Sequence, residues 1–212
     1  MVCLQEMVEL NSFNVLLGNN ETIVDRWRKQ IDRSLNFIGG RAGRNYVYLT
    51  GRDLVGLACF VFVSGHLYNR VHLSLWKEVK TGFKNNLGNK GSIILFLQID
   101  ASLITIANCH LTAGEKAAAE RLQDIQYIHN DAINDRSQKR LLEKSEYRFF
   151  VGDMNFRLEA KNEHVREVLY AIEKEDAQRK LTKSEMETYL SALLQKDEFY
   201  LNNRAGILSI YQ

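Results

Sequence analysis

The stretch Ile93-Ile94-Leu95-Phe96-Leu97 is apolar on both alternations of its side chains, the pattern of a strand covered on both faces of a sheet. The strand-like run that contains it extends from Ser92 to Ile99. Six further strand-like runs are Val2 to Leu4, Tyr46 to Leu49, Leu54 to Val63, Val71 to Val79, Leu103 to Asn108 and Tyr147 to Val151. The sequence therefore predicts a large sheet core.

Helical segments precede and follow these strands. A first helix is predicted by apolar residues at helical spacing, Val24, Trp27, Ile31, Leu35 and Ile38, and Gly39-Gly40 should end it. Three more are predicted around Leu122 to Ala132, Val165 to Ile172 and Met186 to Leu193, the last with a Thr182–Glu185 capping box. The charged stretch from Asp135 to Glu146 is interpreted as a solvated helix end and loop. This order predicts an α/β or α+β fold in a single domain over residues 1–212.

Composition excludes several classes of protein. The chain has 212 residues, and 28 Lys and Arg against 26 Asp and Glu leave a net charge of +2. That balance disfavours DNA wrapping and purely electrostatic membrane docking, and no apolar run approaches the roughly 18 residues of a membrane span. Met1 leads directly into a strand-like run, so no secretory signal is expected. Cys3, Cys59 and Cys109 lack metal-site spacing and are predicted to be free thiols.

Polar residues with catalytic potential lie beside the predicted strands. They form four groups: Gln5-Glu6, Asn108-Cys109-His110, the run Gly152 to Arg157, and the glycine-rich loop Leu87 to Gly91. Each also has a simpler explanation. Glu6 could be a solvated surface residue and His110 a core histidine, while the Asp153 and Lys90 segments could be ordinary turns.

Taken together, these residues suit phosphoester chemistry. A lone carboxylate such as Glu6 suits Mg²⁺, which keeps most of its water ligands. Asp153 and Asn155 could orient a water molecule and bind a phosphoryl oxygen, and His110 and Lys90 could supply positive charge. The combination predicts metal-assisted phosphoester hydrolysis.

The chain resembles the inositol polyphosphate 5-phosphatases of the endonuclease/exonuclease/phosphatase superfamily. The matching segments are Leu4 to Asn11, Leu54 to Leu57, Thr81 to Gly91, Asn108 to Leu111, Arg121 to Ile125 and Phe150 to Arg157. Nucleases of the superfamily share a QE, an HL and a GDxN. The features typical of the phosphatases are QExVELN, TG(x5)GNKG and the Asn-Phe-Arg of GDxNFR. The resemblance implies a two-sheet α/β sandwich.

The resemblance also implies roles for individual residues. Glu6 would be the magnesium ligand, Asp153 would orient and deprotonate the attacking water, and Asn155 and His110 would contact the scissile phosphate. Asn89, Lys90 and Arg157 are implied substrate-binding residues.

A peripheral membrane position in the cytoplasm follows from the same resemblance. In lipid-directed members, two loops of the domain face the membrane, and here these loops carry Phe13, Phe83, Lys84 and Leu87. The alternative is that these residues pack on the stems of their own loops.

Both ends of the chain are shorter than the family pattern. A Trp-Asn-Val-like strand is expected before Met1, and a PAWCDRIL-type motif and an Asp-His pair are expected after Gln212. We therefore expect a partial catalytic domain with little or no activity of its own, because catalytic groups act as a unit. The absence of proline, 0 in 212 residues, agrees with a missing proline-containing segment.

Two other functions remain open at the level of sequence. One is a non-catalytic domain that binds a phosphoinositide or a partner protein. The other is a nuclease of the same superfamily, which the near-neutral charge disfavours, so no nucleic-acid partner is expected. The sequence makes no prediction of lipid against soluble substrate or of oligomeric state.

Overall fold

The computed structural model describes residues 1–7, 21–54, 56–81 and 90–204. The chain folds into two compact units, Met1–Asn155 and Phe156–Gln212, which are described in turn. The expectation of one domain over residues 1–212 stays a prediction.

Within the described residues, seven strands form two sheets in the first unit. The strands are β1 (Val2–Leu4), β2 (Tyr46–Leu54), β3 (Leu57–Ser64), β4 (Val71–Lys80), β5 (Gly91–Ile99), β6 (Ser102–His110) and β7 (Tyr147–Asp153). One sheet has the order β1-β3-β2 and the other the order β4-β5-β6-β7. All neighbours are antiparallel except β6 and β7, which are parallel.

The core lies between the two sheets. Val61 and Val63 of β3 pack in one buried cluster with Leu95 and Leu97 of β5 and with Ile106 of β6. All residues from Gly91 to Leu97 are buried, as their two-sided apolar pattern predicts. The predicted two-sheet sandwich with an α/β composition is thereby confirmed.

Two predicted strand boundaries are wrong. The runs Tyr46 to Leu49 and Leu54 to Val63 are in fact β2, which continues to Leu54, and β3, which begins at Leu57. The polar residues Thr50 to Asp53 interrupt the apolar pattern, but they pair with β3 across a register irregularity between Tyr48 and Thr50. Backbone pairing therefore overrides the side-chain pattern there.

Helix α1 (Glu21–Arg41) runs through the glycines that were expected to end it. Gly39 is a packing residue, because a Cβ atom there would lie 2.9 Å from the Arg44 carbonyl oxygen and 3.1 Å from the Tyr46 ring. The chain turns at Gly43 instead, where φ is 66°. The predicted helix end at Gly39-Gly40 is therefore wrong, and the glycine that follows the helix is Gly43.

Two further helices complete the first unit. Helix α2 (Ala118–Ala132) turns Ile125 and Ile128 into the core. Helix α3 (Arg136–Lys144) occupies the charged stretch that was interpreted as a helix end and loop. The Asp135 side chain caps this short helix by accepting hydrogen bonds from the Ser137 and Gln138 backbone amides. Helix α3 is therefore a separate element from helix α2.

In its described part, the second unit, Phe156–Gln212, consists of helices joined by short segments, with one antiparallel β-bridge between Leu158 and Asp197. It contains α4 (Asn162–Arg179), α5 (Lys183–Leu194) and α6 (Glu198–Arg204), of which α6 was not predicted. The Thr182–Glu185 capping box begins α5, as predicted.

Gly152 generates a test of the parallel β6–β7 pairing. Its φ is +117°, and a Cβ atom would lie 2.1 Å from the Cys109 carbonyl oxygen. We expect Gly152→Ala to lower the free energy of unfolding by about 2 kcal/mol or more, because the strands must separate to admit the methyl group. Urea denaturation measures this loss.

Gly40→Ala is the matched control, since nothing lies within 4 Å of its added Cβ atom. This helical position should gain about 0.5–1 kcal/mol. Equal stability of Gly152→Ala and the wild type would contradict the pairing.

Candidate active site

Three strands bring the candidate catalytic residues to one place. In the register of the larger sheet, His110 of β6 lies opposite Gly91 of β5 on one side and opposite Asp153 of β7 on the other. Lys90 immediately precedes β5, so the residues Lys90, His110 and Asp153 come from three neighbouring strand ends. Polar side chains at strand ends are a common location for sites in α/β sheets.

His110 lies at the centre of this group. Its side chain is 1% exposed, and its Nε2 atom is 2.5 Å from Lys90 Nζ. The same Nε2 atom is 3.7 Å from Glu6 Oε1 and 3.7 Å from Asp153 Oδ2. One imidazole therefore contacts a cation and approaches two carboxylates.

Burial and nearby charges shift the pKa values of both His110 and Lys90. Burial lowers the pKa of His110, and the Lys90 charge lowers that pKa further, while Asp153 and Glu6 raise it. Burial also lowers the pKa of Lys90, against the opposing effect of the surrounding carboxylates. A neutral imidazole accepting a hydrogen bond from the Lys90 ammonium at Nε2 is consistent with both directions.

The Nδ1 atom of His110 is buried and has no hydrogen-bond partner among the described residues. With Nε2 as the acceptor, Nδ1 carries the proton of the neutral ring. The expected alternative of a satisfied core histidine does not describe this environment.

Glu6 is held by its neighbours on both sides. The Gln5 side chain donates a hydrogen bond of 2.6 Å to Asn108 Oδ1, and the Met7 amide donates one of 3.1 Å to the Gly56 carbonyl oxygen. Between them Glu6 adopts a φ of 54°, a left-handed conformation that non-glycine residues rarely adopt. Its side chain remains 67% exposed, so the carboxylate faces solvent beside His110.

Asn108 connects the two sheets. It is fully buried in β6, accepts the hydrogen bond from Gln5 and donates one of 3.0 Å to the Ala58 carbonyl oxygen of β3. Gln5 and Asn108 lie within the sequence motifs, but their positioning role was not predicted. A polar residue at the end of an apolar strand-like run suggests a buried hydrogen bond, but the sequence does not identify its partner.

Asp153 and Asn155 form a tight turn after β7. The Asn155 amide donates to Asp153 Oδ1 at 3.0 Å, and the Asn155 side chain donates to the Leu111 carbonyl oxygen at 3.0 Å. The turn that was considered as an alternative is thus present, with Asn155 at a φ of 54°. It also fixes the Asp153 carboxylate, which is 48% exposed, beside His110.

The loop after β6 is tied to helix α2. Asp124 accepts hydrogen bonds from both the Thr112 amide, at 2.8 Å, and the Thr112 hydroxyl, at 2.7 Å. Arg121 is 0% exposed and donates to the carbonyl oxygens of Thr112 and Gly114. These bonds hold the backbone that directly follows His110.

The structure does not test the other predicted site residues. Arg157 belongs to the second unit, where its amide donates to the Glu198 carboxylate at 3.1 Å, and its substrate-binding role stays a prediction. The remaining predicted residues, Asn89, Phe13, Phe83, Lys84 and Leu87, lie outside the described residues. No helix in the described ranges is long and apolar enough to cross a membrane.

The donor set around His110 fits a hard divalent cation bound by few protein groups. Across residues 1–7, 21–54, 56–81 and 90–204, no three His, Cys, Asp or Glu side chains are arranged to hold a metal together. The imidazole Nε2 instead faces Lys90, and the carboxylates of Glu6 and Asp153 beside it are exposed oxygen donors. One carboxylate with several waters is a coordination that Mg²⁺ accepts.

Comparison with known proteins agrees with this fold and motif set. Residues 1–198 match the sequence pattern of the Endonuclease/Exonuclease/phosphatase family 2, and the chain belongs to that family. It is 28% identical to synaptojanin-2 of Rattus norvegicus over 174 residues, and 27% identical to a polyphosphatidylinositol phosphatase of Saccharomyces cerevisiae over 203 residues. These matches cover 81% and 96% of this chain, but only 11% and 16% of the two relatives.

Two solved structures share the fold. One is the inositol polyphosphate 5-phosphatase domain of SPsynaptojanin in complex with inositol (1,4)-bisphosphate and calcium ion. Its TM-score is 0.71 and its sequence identity is 24%, and the match covers 97% of this chain and 53% of that chain. The other is a Cimex nitrophorin mutant in a ferrous NO complex, with a TM-score of 0.57, 12% identity and coverage of 90% and 57%. The predicted relation to the 5-phosphatases is confirmed, and the chain spans about half of the solved phosphatase domain.

The connection through Asn108 generates a test of how the site is held together. We expect Asn108→Ala to lower the free energy of unfolding by about 2 kcal/mol or more, because the buried Ala58 carbonyl oxygen and the Gln5 amide lose their partner. Hydrogen exchange at residues 2–6 should accelerate with it.

Gln98→Ala is the matched control, because the side-chain amide of Gln98 also donates to a backbone carbonyl oxygen, that of Asp100, but does so at an exposed position. Its cost should stay below about 0.5 kcal/mol. Unchanged exchange at residues 2–6 in Asn108→Ala would contradict the connection.

The contact between Lys90 and His110 generates a second test. We expect Lys90→Met to raise the pKa of His110, because the ammonium charge lowers that pKa in the wild type. An NMR titration of the His110 ring protons in metal-free buffer measures the shift.

Lys77→Met is the control, because it also removes one positive charge but from a pair with Asp131. The pKa of His110 should not change in this variant. A His110 pKa that falls or stays constant in Lys90→Met would show that the two side chains do not interact.

Proposed function

We propose that this protein hydrolyses the 5-phosphate of phosphoinositides such as phosphatidylinositol 4,5-bisphosphate, or of soluble inositol polyphosphates, with Mg²⁺ as cofactor. The observation that carries the proposal is the grouping of Glu6, Lys90 and Asp153 around one buried histidine, His110. The inositol bisphosphate in the related solved domain supports the substrate class.

The proposed reaction uses the charges of this group. Glu6 would hold Mg²⁺, which supplies positive charge to the phosphoryl oxygens when it is bound. Asp153 is exposed and fixed by its turn, so it can accept a proton from the attacking water. Lys90 lies beside His110, where a cation stabilises the negative charge that develops on the phosphoryl group.

Asn155 and His110 would contact the scissile phosphate. The amide of Asn155 is anchored to Leu111, so its side chain is oriented before substrate binds. The Nε2 atom of the buried His110 faces Lys90 and the solvent-facing carboxylates, and once protonated there it would donate a hydrogen bond to the phosphate. Asn89, Lys90 and Arg157 are proposed to bind the substrate or to order the site around it.

We place the protein at membrane surfaces of the cytoplasm, as a peripheral component of phosphatidylinositol signalling. The support is the sequence itself, which has Phe13, Phe83 and Leu87 for the acyl boundary and Lys84 for anionic headgroups in or beside two family motifs. Vesicles and soluble inositol phosphates therefore need to be compared as substrates.

Phosphate release tests the proposal. The protein is assayed with vesicles that contain phosphatidylinositol 4,5-bisphosphate and, separately, with inositol 1,4,5-trisphosphate, each with Mg²⁺ and with EDTA. We expect release at a low rate that requires Mg²⁺ and is lost in a Glu6→Ala, Asp153→Ala double variant.

A second double variant, Glu143→Ala with Glu187→Ala, removes two exposed carboxylates of surface ion pairs and should keep the wild-type rate. Vesicle binding without phosphate release would overturn the proposal in favour of a phosphoinositide-binding domain. Cleavage of an oligonucleotide in place of either substrate would overturn it in favour of a nuclease.

A further inference from the structure

Two cysteines lie directly opposite each other in the smaller sheet. Cys3 of β1 and Cys59 of β3 are register partners across an antiparallel pair, and their sulfur atoms are 3.7 Å apart. Both are thiols in this structure.

The position of this pair suits a disulfide. Residues directly opposite in antiparallel strands have Cα atoms about 4.5–5.5 Å apart, within the range of about 4.4–6.8 Å that disulfides span. The two sulfur atoms would have to approach from 3.7 Å to a bond of about 2.05 Å, which side-chain rotation and small backbone shifts can supply.

The two thiols differ in access and acidity. Cys3 is partly exposed, whereas Cys59 is 1% exposed. The hydrogen bond from Cys59 lowers the pKa of Cys3, while that bond and burial raise the pKa of Cys59. Cys3 is therefore the more accessible and more nucleophilic thiol, and Cys59 is positioned to react with it.

Cys109 provides an internal comparison. It is fully buried in β6, and its sulfur donates a hydrogen bond of 3.2 Å to Ser92 Oγ. Burial raises its pKa. A buried, unreactive thiol of this kind is expected to persist when an accessible one is oxidised.

We propose that Cys3 and Cys59 form an oxidation site, at which peroxide converts the pair into a cross-strand disulfide. The Cys3 sulfur attacks hydrogen peroxide and becomes a sulfenic acid, and water is released. The Cys59 thiol then attacks that sulfur, which forms the S–S bond and releases a second water. The peroxide is reduced by two electrons, and the two thiols are oxidised by two.

The disulfide would act on the strand that leads into the candidate active site. Within the described sheet, β1 is an edge strand of three residues, and Glu6 follows Cys3 by three positions. A bond between residues 56 positions apart would tie this edge strand to the central strand β3. Oxidation would therefore stabilise the chain against thermal unfolding by constraining its unfolded state.

Peptide mapping after peroxide treatment tests the proposal. The protein is treated with hydrogen peroxide, unfolded, alkylated and digested without reductant. We expect one intramolecular disulfide between the Cys3 and Cys59 peptides and an alkylated Cys109. We also expect the melting temperature to rise by roughly 5–15 °C and to return with reductant.

The matched variants are Cys3→Ser and Cys109→Ser. Cys3→Ser should form no intramolecular disulfide and show no peroxide-induced rise, whereas Cys109→Ser should behave as the wild type. The wild-type peptide map remains decisive if either variant fails to fold. Cys3 and Cys59 both recovered as alkylated thiols, a bond that includes Cys109, or disulfides only between two chains would overturn the proposal.

Discussion

The buried carboxamide of Asn108 is the constraint on which the candidate site depends. It belongs to one sheet through β6, donates to the Ala58 carbonyl oxygen of the other sheet, and accepts from Gln5 at the end of β1. Without this connection, Glu6 would follow a three-residue edge strand held by its pairing with β3 and by the hydrogen bond from the Met7 amide to the Gly56 carbonyl oxygen. Strand β6 continues directly from Asn108 to His110. The Asn108 side chain therefore ties the segment that carries the Glu6 carboxylate to the strand that carries the His110 imidazole.

The chemistry follows from a second constraint, the burial of His110 beside a cation. Its low exposure and the Lys90 charge both favour the neutral ring, while Glu6 and Asp153 at 3.7 Å favour the protonated one. The group thus combines a buried imidazole and a neighbouring lysine with two exposed carboxylates. Such a group can attract a hard cation and a phosphate together, which the shared fold alone does not explain, since a nitrophorin has that fold as well.

The sequence was most informative where one pattern has one structural solution. The two-sided apolar run Ile93 to Leu97 predicted a buried strand. The polar residues beside the predicted strands indicated that Glu6, His110 and Asp153 belong to one site. The connection between Gln5 and Asn108 was not predictable, because it joins residues 103 positions apart through a contact that only the packed sheets create. The end of α1 was misplaced because Gly39 serves close packing, and sequence pattern does not separate that use of glycine from a helix end.

Cation binding at Glu6 beside His110 is tested most directly by a titration with Mn²⁺, a paramagnetic substitute for Mg²⁺, followed by NMR of the backbone amides. We expect Mn²⁺ well below one equivalent to broaden the signals of Glu6, His110 and Asp153, and we expect Glu6→Gln to remove this effect. Equal broadening around a distant exposed carboxylate such as Asp135, unchanged in Glu6→Gln, would contradict it.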